Sequence, residues 1–452
     1  MKPHEHPRIH AEPESGGYSR KLPSARLRTQ ADTCTGILSE ILDAVLGKSL
    51  PADQFLAGRF RKDRRFGSRD RRLISRAVFS VFRQYGFLRE AFGFRPENGS
   101  DRRVLSLCIL GAALLEGYLP ETYPRHLEDA GLREDAFLRI FEIRDELERF
   151  RRFAALAGSE YSPDISHILP GWALPELVQP FDERFYRAMR TRPPMWIRTQ
   201  TDRIDFLLKS LAEAGLAAVR HPALPDAFSI ADAHVNLHTM EAYRKGLFEL
   251  QDISSQCIGR ACMPSRGETW WDACSGGGGK ALQLASLLHR TGVVTATDIR
   301  ARKLAELKKR AARAAFPNIR IMEWDEKKQG KKCFSGVLVD APCSSSGRWR
   351  RNPEARWTAK PEALQSLRKT QLEILNHASQ AVRPGGVLVY ATCSMFRREN
   401  ASVVHAFLES HPEFHLEPFP NPLTGEMNSG MQQIMPWDAD CDASFAARMR
   451  RN

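Results

Sequence analysis

Apolar residues recur along the first third of the chain at spacings of one, three and four. Ile37, Leu38, Ile41, Leu42, Val45 and Leu46 form one such stretch, and Leu73, Ile74, Ala77, Val78, Val81 and Phe82 the next clear one. That period lines the apolar side chains along one face of a helix, and no strand-like alternation interrupts it. It predicts an all-helical unit over residues 29–157. Residues 1–28 mix Pro, Gly, Ser, His and Arg without apolar periodicity and read as a disordered basic leader. Prolines then cluster at Pro170, Pro175, Pro180, Pro193 and Pro194, which predicts a linker. Beyond it, a strand over Met195–Arg198 and a helix over Arg203–Ala214 fit a small α+β module within residues 165–249.

Further along, the period changes to short apolar runs, most of them followed by a loop and a helical segment. The runs are Thr269–Asp272, Val293–Asp298, Ile319–Trp324, Phe334–Asp340 and Val387–Thr392. Strands alternating with helices predict a mainly parallel sheet covered by helices on both faces, over residues 250–452. In such sheets the carboxyl ends of the strands face the ligand crevice, so residues at those ends are the candidates for chemistry.

Composition narrows the partners. The formal net charge of +13 favours a polyanion, since Lys and Arg that neutralise phosphates release condensed counterions. Eight of the fourteen residues from Arg59 to Arg72 are basic, a candidate phosphate-contacting surface that reads equally as a solvated loop and helix start. No apolar run approaches the roughly 20 residues that cross a bilayer, and the N-terminus lacks an apolar signal core. Nine irregularly spaced cysteines fit reduced thiols in the cytoplasm better than a disulfide framework. The scattered histidines and cysteines match no zinc spacing, so no metal is expected. Nothing indicates an oligomer, and a monomer is expected.

The first run of the parallel sheet ends in Asp272-Ala273-Cys274-Ser275-Gly276-Gly277-Gly278-Gly279-Lys280, a glycine loop opening a helix, where the backbone approaches a ligand closely. Asp298 closes the next strand nineteen residues past Gly279, about where nucleotide sites hold ribose hydroxyls. The loop matches neither a Walker sequence nor, except in part, a dinucleotide fingerprint. S-adenosylmethionine, a nucleoside cofactor without phosphates, fits a wide glycine loop and acidic strand ends better. Asp325, at the end of the third strand, would lie near its adenine. The fourth strand runs into Asp340-Ala341-Pro342-Cys343-Ser344, and the fifth ends at Thr392-Cys393-Ser394. Two cysteines at neighbouring strand ends beside a glycine loop point to thiol chemistry. Carbon 5 of cytosine is a poor nucleophile, and addition of a thiolate at carbon 6 turns the ring into an enamine that accepts a methyl group. A free thiol is only a few per cent ionised at neutral pH, so the site must activate it. On spacing alone either cysteine is eligible.

At these residues the sequence resembles the Sun/Fmu-type 16S rRNA (cytosine-5) methyltransferases. Asp272–Lys280 is similar to their Asp-x-Cys-Ala-Ala-Pro-Gly-Gly-Lys loop, Asp340–Ser344 to Asp-Ala-Pro-Cys-Ser, and Thr392–Ser394 to Thr-Cys-Ser. Gln251–Gln256, Arg351-Asn352-Pro353 with Trp357, and Gly430–Pro436 agree with flanking segments. Pro193–Arg198 looks like the start of the family's small RNA-binding (RRM-like) module, and Gly67–Arg71 belongs to a stretch resembling its NusB-type helical domain. The resemblance implies a Rossmann-like class I methyltransferase domain behind those two modules, acting on RNA with S-adenosylmethionine. It implies Cys393 as the nucleophile and Cys343 as the cysteine that aids product release. It further implies cofactor contacts from Cys274, Ser275, Gly276, Gly277, Gly278, Gly279, Lys280, Asp298, Asp325 and Asp340, the last also bonding the cytosine. Two positions depart from the family: Ser275-Gly276-Gly277 replaces Ala-Ala-Pro, which removes a proline constraint from the loop, and Ser444 stands where an aromatic end is common. Arg348, Trp349, Arg350 and Arg351 are expected to grip phosphate and stack on a base. A transfer RNA or DNA enzyme, and a non-catalytic ribosome-assembly factor with the same fold, remain open alternatives.

Overall fold

The computed structural model describes residues 24–230, 235–324 and 334–452. Most of the expected leader therefore lies outside the described residues. Its last five do not: the first helix runs Ser24–Leu42, so Ser24–Arg28 continue the helix rather than precede it. Eight helices follow one another up to Leu156. The helix Arg102–Glu116 is their centre, with Leu105 through Leu115 buried on every side. Asp101 caps it by accepting the Arg103 and Val104 amides, and Gly117 closes it in the left-handed conformation at φ 72°.

The proline cluster is not a linker. Leu169, Ala173, Leu177, Phe185, Tyr186 and Met189 are buried in the core of the helical part, and a capped helix occupies Glu183–Met189. Apolar burial outweighs the breaking tendency of the prolines, which only shape the short turns between contacts.

Four strands follow: β1 (Met195–Thr199), β2 (Ala218–Arg220), β3 (Ala227–Ile230) and β4 (Phe248–Leu250). They form an antiparallel sheet in the order β2-β3-β1-β4, with the helices Ile204–Glu213 and Glu241–Arg244 completing a β-α-β-β-α-β chain. Both faces of this sheet are covered. Ile197, Phe228 and Phe248 pack under its own helices, while Trp196 and Ala227 pack against Ile253 and Cys257 of the next helix and against Ile434 and Cys441.

The large sheet comprises β5 (Thr269–Asp272), β6 (Val293–Asp298), β7 (Ile319–Glu323), β8 (Phe334–Asp340), β9 (Val382–Thr392), β10 (Phe414–Leu416), β11 (Met431–Ile434) and β12 (Ser444–Arg451). Its order is β10-β12-β9-β8-β5-β6-β7, parallel from β9 to β7, with β12 antiparallel to β9 and β11 pairing β12. This is the doubly wound arrangement expected of the alternating pattern, and β5, β6 and β8 adopt the predicted bounds. The order reverses at β5, so the crevice opens beyond the carboxyl ends of β6, β5, β8 and β9.

The helical part and the large sheet share one core: Trp349, Leu364, Met395 and Phe396 pack with Phe82, Leu169 and Met189. Arg356, fully enclosed, donates to the carbonyls of Ile168, Met189 and Trp349 at 2.8, 3.2 and 3.0 Å, and Trp357 donates to the Phe82 carbonyl at 2.7 Å. Among the described residues no helix is long and apolar enough to cross a membrane.

Candidate active site

The glycine loop folds back over the ends of β5 and β6. Ser275 donates its amide to the Thr297 carbonyl at 2.9 Å, and the Gly276 amide reaches the Asp298 carboxylate at 2.9 Å. Gly276 and Gly278 are left-handed, at φ 53° and 86°. At Gly278 a Cβ would lie 2.0 Å from Leu307, so glycine there is a packing requirement as well as a conformational one. The helix Gly279–Leu287 then starts with its free amides toward the crevice.

Three carboxylates ring this loop. Asp272 is fully buried, and its oxygens meet no donor in good geometry, the Cys274 amide approaching only loosely. Burial first, then the neighbouring Asp340, push its carboxyl up to about 8. Asp298 is held below the usual carboxylate range: burial opposes this and is outweighed by bonds from the Arg300 side chain and amide and from Gly276. Asp340 binds Lys280 Nζ at 2.7 Å. Burial works against the Lys280 ammonium, and the Asp340 charge overrides it, holding the ammonium above its usual range. Ile299, next to Asp298, stands 83% exposed, an apolar surface at the strand end where a base can lie. An acidic, glycine-walled cradle of this kind suits a nucleoside carrying a positive charge and opposes a pyrophosphate, so these residues fit S-adenosylmethionine. Asp325 lies outside the described residues.

At the ends of β8 and β9, the Cys343 and Cys393 sulfurs are 3.4 Å apart. Cys393 is held below the ordinary thiol value, first by the hydrogen bond from Cys343, with help from Ser345 and Lys280 and against burial and Asp340. Cys343 is pushed well up, by that same bond, by burial and by the negative neighbours Cys393 and Glu399. The shared hydrogen bond and the surrounding charges thus act asymmetrically, lowering Cys393 and raising Cys343, so that of the two Cys393 gives up its proton the more readily. Cys274, by contrast, is driven up by burial and sits in the loop as a thiol. Ser345, beside the pair, is left-handed at φ 56°, a strained conformation for a serine. Gly347 donates to the Cys393 carbonyl at 2.9 Å, and a Cβ there would lie 2.3 Å from the Ala443 carbonyl.

The arginine run behaves otherwise than expected. Trp349 is enclosed in the shared core and stacks on no base. Arg350 is buried on Thr191, Asp440 and the Cys441 carbonyl, and Arg351 pairs with Asp252 and Asp442 at 2.6 and 2.9 Å. Burying a guanidinium costs desolvation, and the carboxylate and carbonyl partners around Arg350 and Arg351 offset that cost. Of the four, Arg348 and Arg351 line an open groove, Arg351 with its guanidinium already paired to Asp252 and Asp442. The spacing pattern pointed to none of Asp272's orphaned oxygens, Arg300, Ile299 or Glu399; only the acidic residue at the β5 end carried a signal, as the opening of the loop motif.

Comparison with known proteins points to an RNA methyltransferase. The family described as 16S rRNA methyltransferase RsmB/F matches residues 260–450. Ribosomal RNA small subunit methyltransferase B of Klebsiella pneumoniae (strain 342) is 30% identical over 407 residues, covering 85% of this chain and 91% of that protein. The probable ribosomal RNA small subunit methyltransferase B of Bacillus subtilis (strain 168) is 32% identical over 298 residues, 62% of this chain and 66% of its own. Among solved structures, PH0851 superposes with a TM-score of 0.72 at 24% identity, covering 92% of this chain and 99% of that one. NSun6 from Pyrococcus horikoshii, solved with SFG, gives 0.52 at 19%, covering 59% and 92%. These two show the fold. Likeness to the Klebsiella protein reaches through the helical part as well as the large sheet, and on that extent the chain belongs to the 16S rRNA methyltransferase RsmB/F family, an S-adenosylmethionine-dependent RNA methyltransferase.

Proposed function

We propose that the protein methylates carbon 5 of a cytosine in 16S ribosomal RNA through a covalent adduct on Cys393. The observation that carries this reading is the thiol pair at 3.4 Å, with the proton drawn to Cys343 and away from Cys393. Cys393 adds to carbon 6, and the ring electrons move toward carbon 5, with Asp340 hydrogen-bonding the amidine edge of the base. Cys274, Ser275, Gly276, Gly277, Gly278, Gly279, Lys280, Asp298 and Asp340 would hold S-adenosylmethionine, which supplies an electrophilic methyl group when bound. Loss of the carbon-5 proton and departure of the Cys393 sulfur restore the ring, and Cys343, the protonated neighbour, assists that departure.

A groove of about 1490 Å³ supports RNA as the partner. It runs between the helical part and the large sheet, lined by Arg72, Arg76, Arg192 and Arg348 among others. Desolvation, then the like charges of Arg351 and Arg83, hold the Arg192 guanidinium below its ordinary value. Arg348 brings the groove to the segment that follows Cys343. We read residues 29–157, together with the turns and helix up to Met189 that complete their core, as the NusB-like unit, and the β-α-β-β-α-β chain from Met195 to Leu250, which starts later than the expected 165, as the RRM-like module. With both sheet faces covered, that module serves as a spacer more than as a base-stacking platform.

The test is methyl transfer to small-subunit ribosomal RNA, read by bisulfite sequencing. One protected cytosine is expected with the wild type and none with Cys393→Ala, whose cofactor binding by calorimetry stays intact. Methylation by Cys393→Ala at the wild-type rate would overturn the assignment.

A further inference from the structure

The sheet does not explain why the two sulfurs are so close. The pairing of β8 with β9 ends at Asp340 opposite Ala391, with one more bond from the Ala341 amide to the Ala391 carbonyl. Both cysteines lie on loops beyond that last rung. Beside the bonds from the Gly347 amide to the Cys393 carbonyl and from the Met395 amide to Ser346 Oγ, the loops are spanned by Glu399, six residues after Cys393 on the turn Arg397–Glu399, its side chain fully enclosed. Oε1 accepts the Ser344 amide at 2.8 Å and Gln371 Nε2 at 3.1 Å. Oε2 accepts the Ser344 and Ser394 hydroxyls, each at 2.5 Å. Four donors converge on one carboxylate, and two of the residues supplying them are the serines that directly follow Cys343 and Cys393. The next residue secures the backbone of one loop: Asn400 accepts from Thr392 Oγ1 at 2.6 Å and donates to the Ser394 carbonyl at 3.0 Å.

We propose that Glu399 is a positioning residue that holds the two cysteine loops in register, fixing the thiols at proton-sharing distance without touching either sulfur. The proposal rests on the reading that these thiols act as a pair. Rigid placement matters because a displacement of about 1 Å can cost a hundredfold in rate. The carboxylate's charge acts in the same direction, since it is among the groups that keep the proton on Cys343. The other groups facing the pair are Asp340, Lys280, Ser345 and Tyr390.

Glu399→Gln keeps the volume but replaces one accepting oxygen by a donor, and the serine hydroxyls can turn to other acceptors, so the fold is expected to survive. The expected result is a kcat lower by about 30- to 100-fold, with KM for RNA and the Kd for S-adenosylmethionine within about twofold. Alkylation of Cys393 by iodoacetamide, followed by peptide mass spectrometry, should show its pH midpoint moved upward. Ser394→Ala, a smaller change that removes one of the four donors, should lower kcat in the same direction, and the double variant should be no slower than Glu399→Gln alone, because both act through one contact. If Cys393→Ala is inactive while both single variants keep wild-type kcat and an unmoved alkylation profile, Glu399 is a structural residue only and the proposal falls. If Cys393→Ala itself remains active, the thiol reading fails first, which is a separate outcome.

Discussion

At Gly278 two constraints coincide, a left-handed backbone and the side chain of Leu307 where a Cβ would go. Gly278→Ala is therefore expected to weaken S-adenosylmethionine by at least tenfold in calorimetry and to lower the melting temperature, at a cost of about 1–3 kcal/mol. Unchanged affinity would show that the loop has another way to close. Asp272 gives a pH signature. Its carboxyl is raised in the folded protein to about 8, so between the unfolded carboxylate value and 8 the folded state holds the extra proton. Stability from this residue is full at acid pH and is lost as pH rises through 8. The cofactor-free wild type should melt progressively lower from pH 6 to pH 9, and Asp272→Asn should flatten that slope; an equal slope in both would place the titration elsewhere, Asp340, Lys280 and Asp298 being the neighbours. The loop, both cysteines and Asp298 were legible in the sequence because each sits in a motif or at a strand end. Glu399 and Arg300 were not, because their importance comes from contacts with loops up to 55 residues away in the chain, or with a neighbour the pattern had assigned only to ribose.

Elements were legible where periodicity was strong. β5, β6 and β8 follow the expected bounds, whereas β9 begins five residues earlier than expected, at Val382, because it takes in Pro384, Gly385 and Gly386, residues whose local preference is for turns. The proline-rich stretch and the arginine run misled for one reason: composition reports local preference, while burial against a distant element decides the outcome. Arg356 shows this most directly, a buried guanidinium whose three acceptors are carbonyls of the helical part and of its own segment. Burial drives its guanidinium down to about 9. Arg356→Met should destabilise the protein by about 2–4 kcal/mol and split one calorimetric unfolding transition into two, since the carbonyls lose their donor. A single unshifted transition in the variant would mean that the shared core alone couples the two parts.

For the whole molecule, the net charge of +13 announced a polyanionic partner without saying where it binds. The structure divides the Arg59–Arg72 cluster. Arg65 is paired with Asp63 away from the groove, whereas Arg69, Arg71 and Arg72 line it; of these Arg69 is paired with Glu121 and Arg71 is turned onto the Phe66 carbonyl, which leaves Arg72 to face the groove with Arg76, Arg192 and Arg348. Replacing these last four by Gln should make the slope of log K for RNA against log salt shallower by about 3, at roughly 0.7–0.9 per phosphate contact. Replacing Arg64 and Arg65 instead should change it little, and the reverse ranking would move the RNA path off the groove. Whether Cys393 bonds to the base and Cys343 helps it leave is read by incubating Cys343→Ala with small-subunit RNA and S-adenosylmethionine and running a denaturing gel. A slow protein–RNA band is expected, and it should disappear when Cys393→Ala is added to the same chain. A band that persists in the double variant, or that forms with Cys393→Ala and not with Cys343→Ala, would contradict those roles.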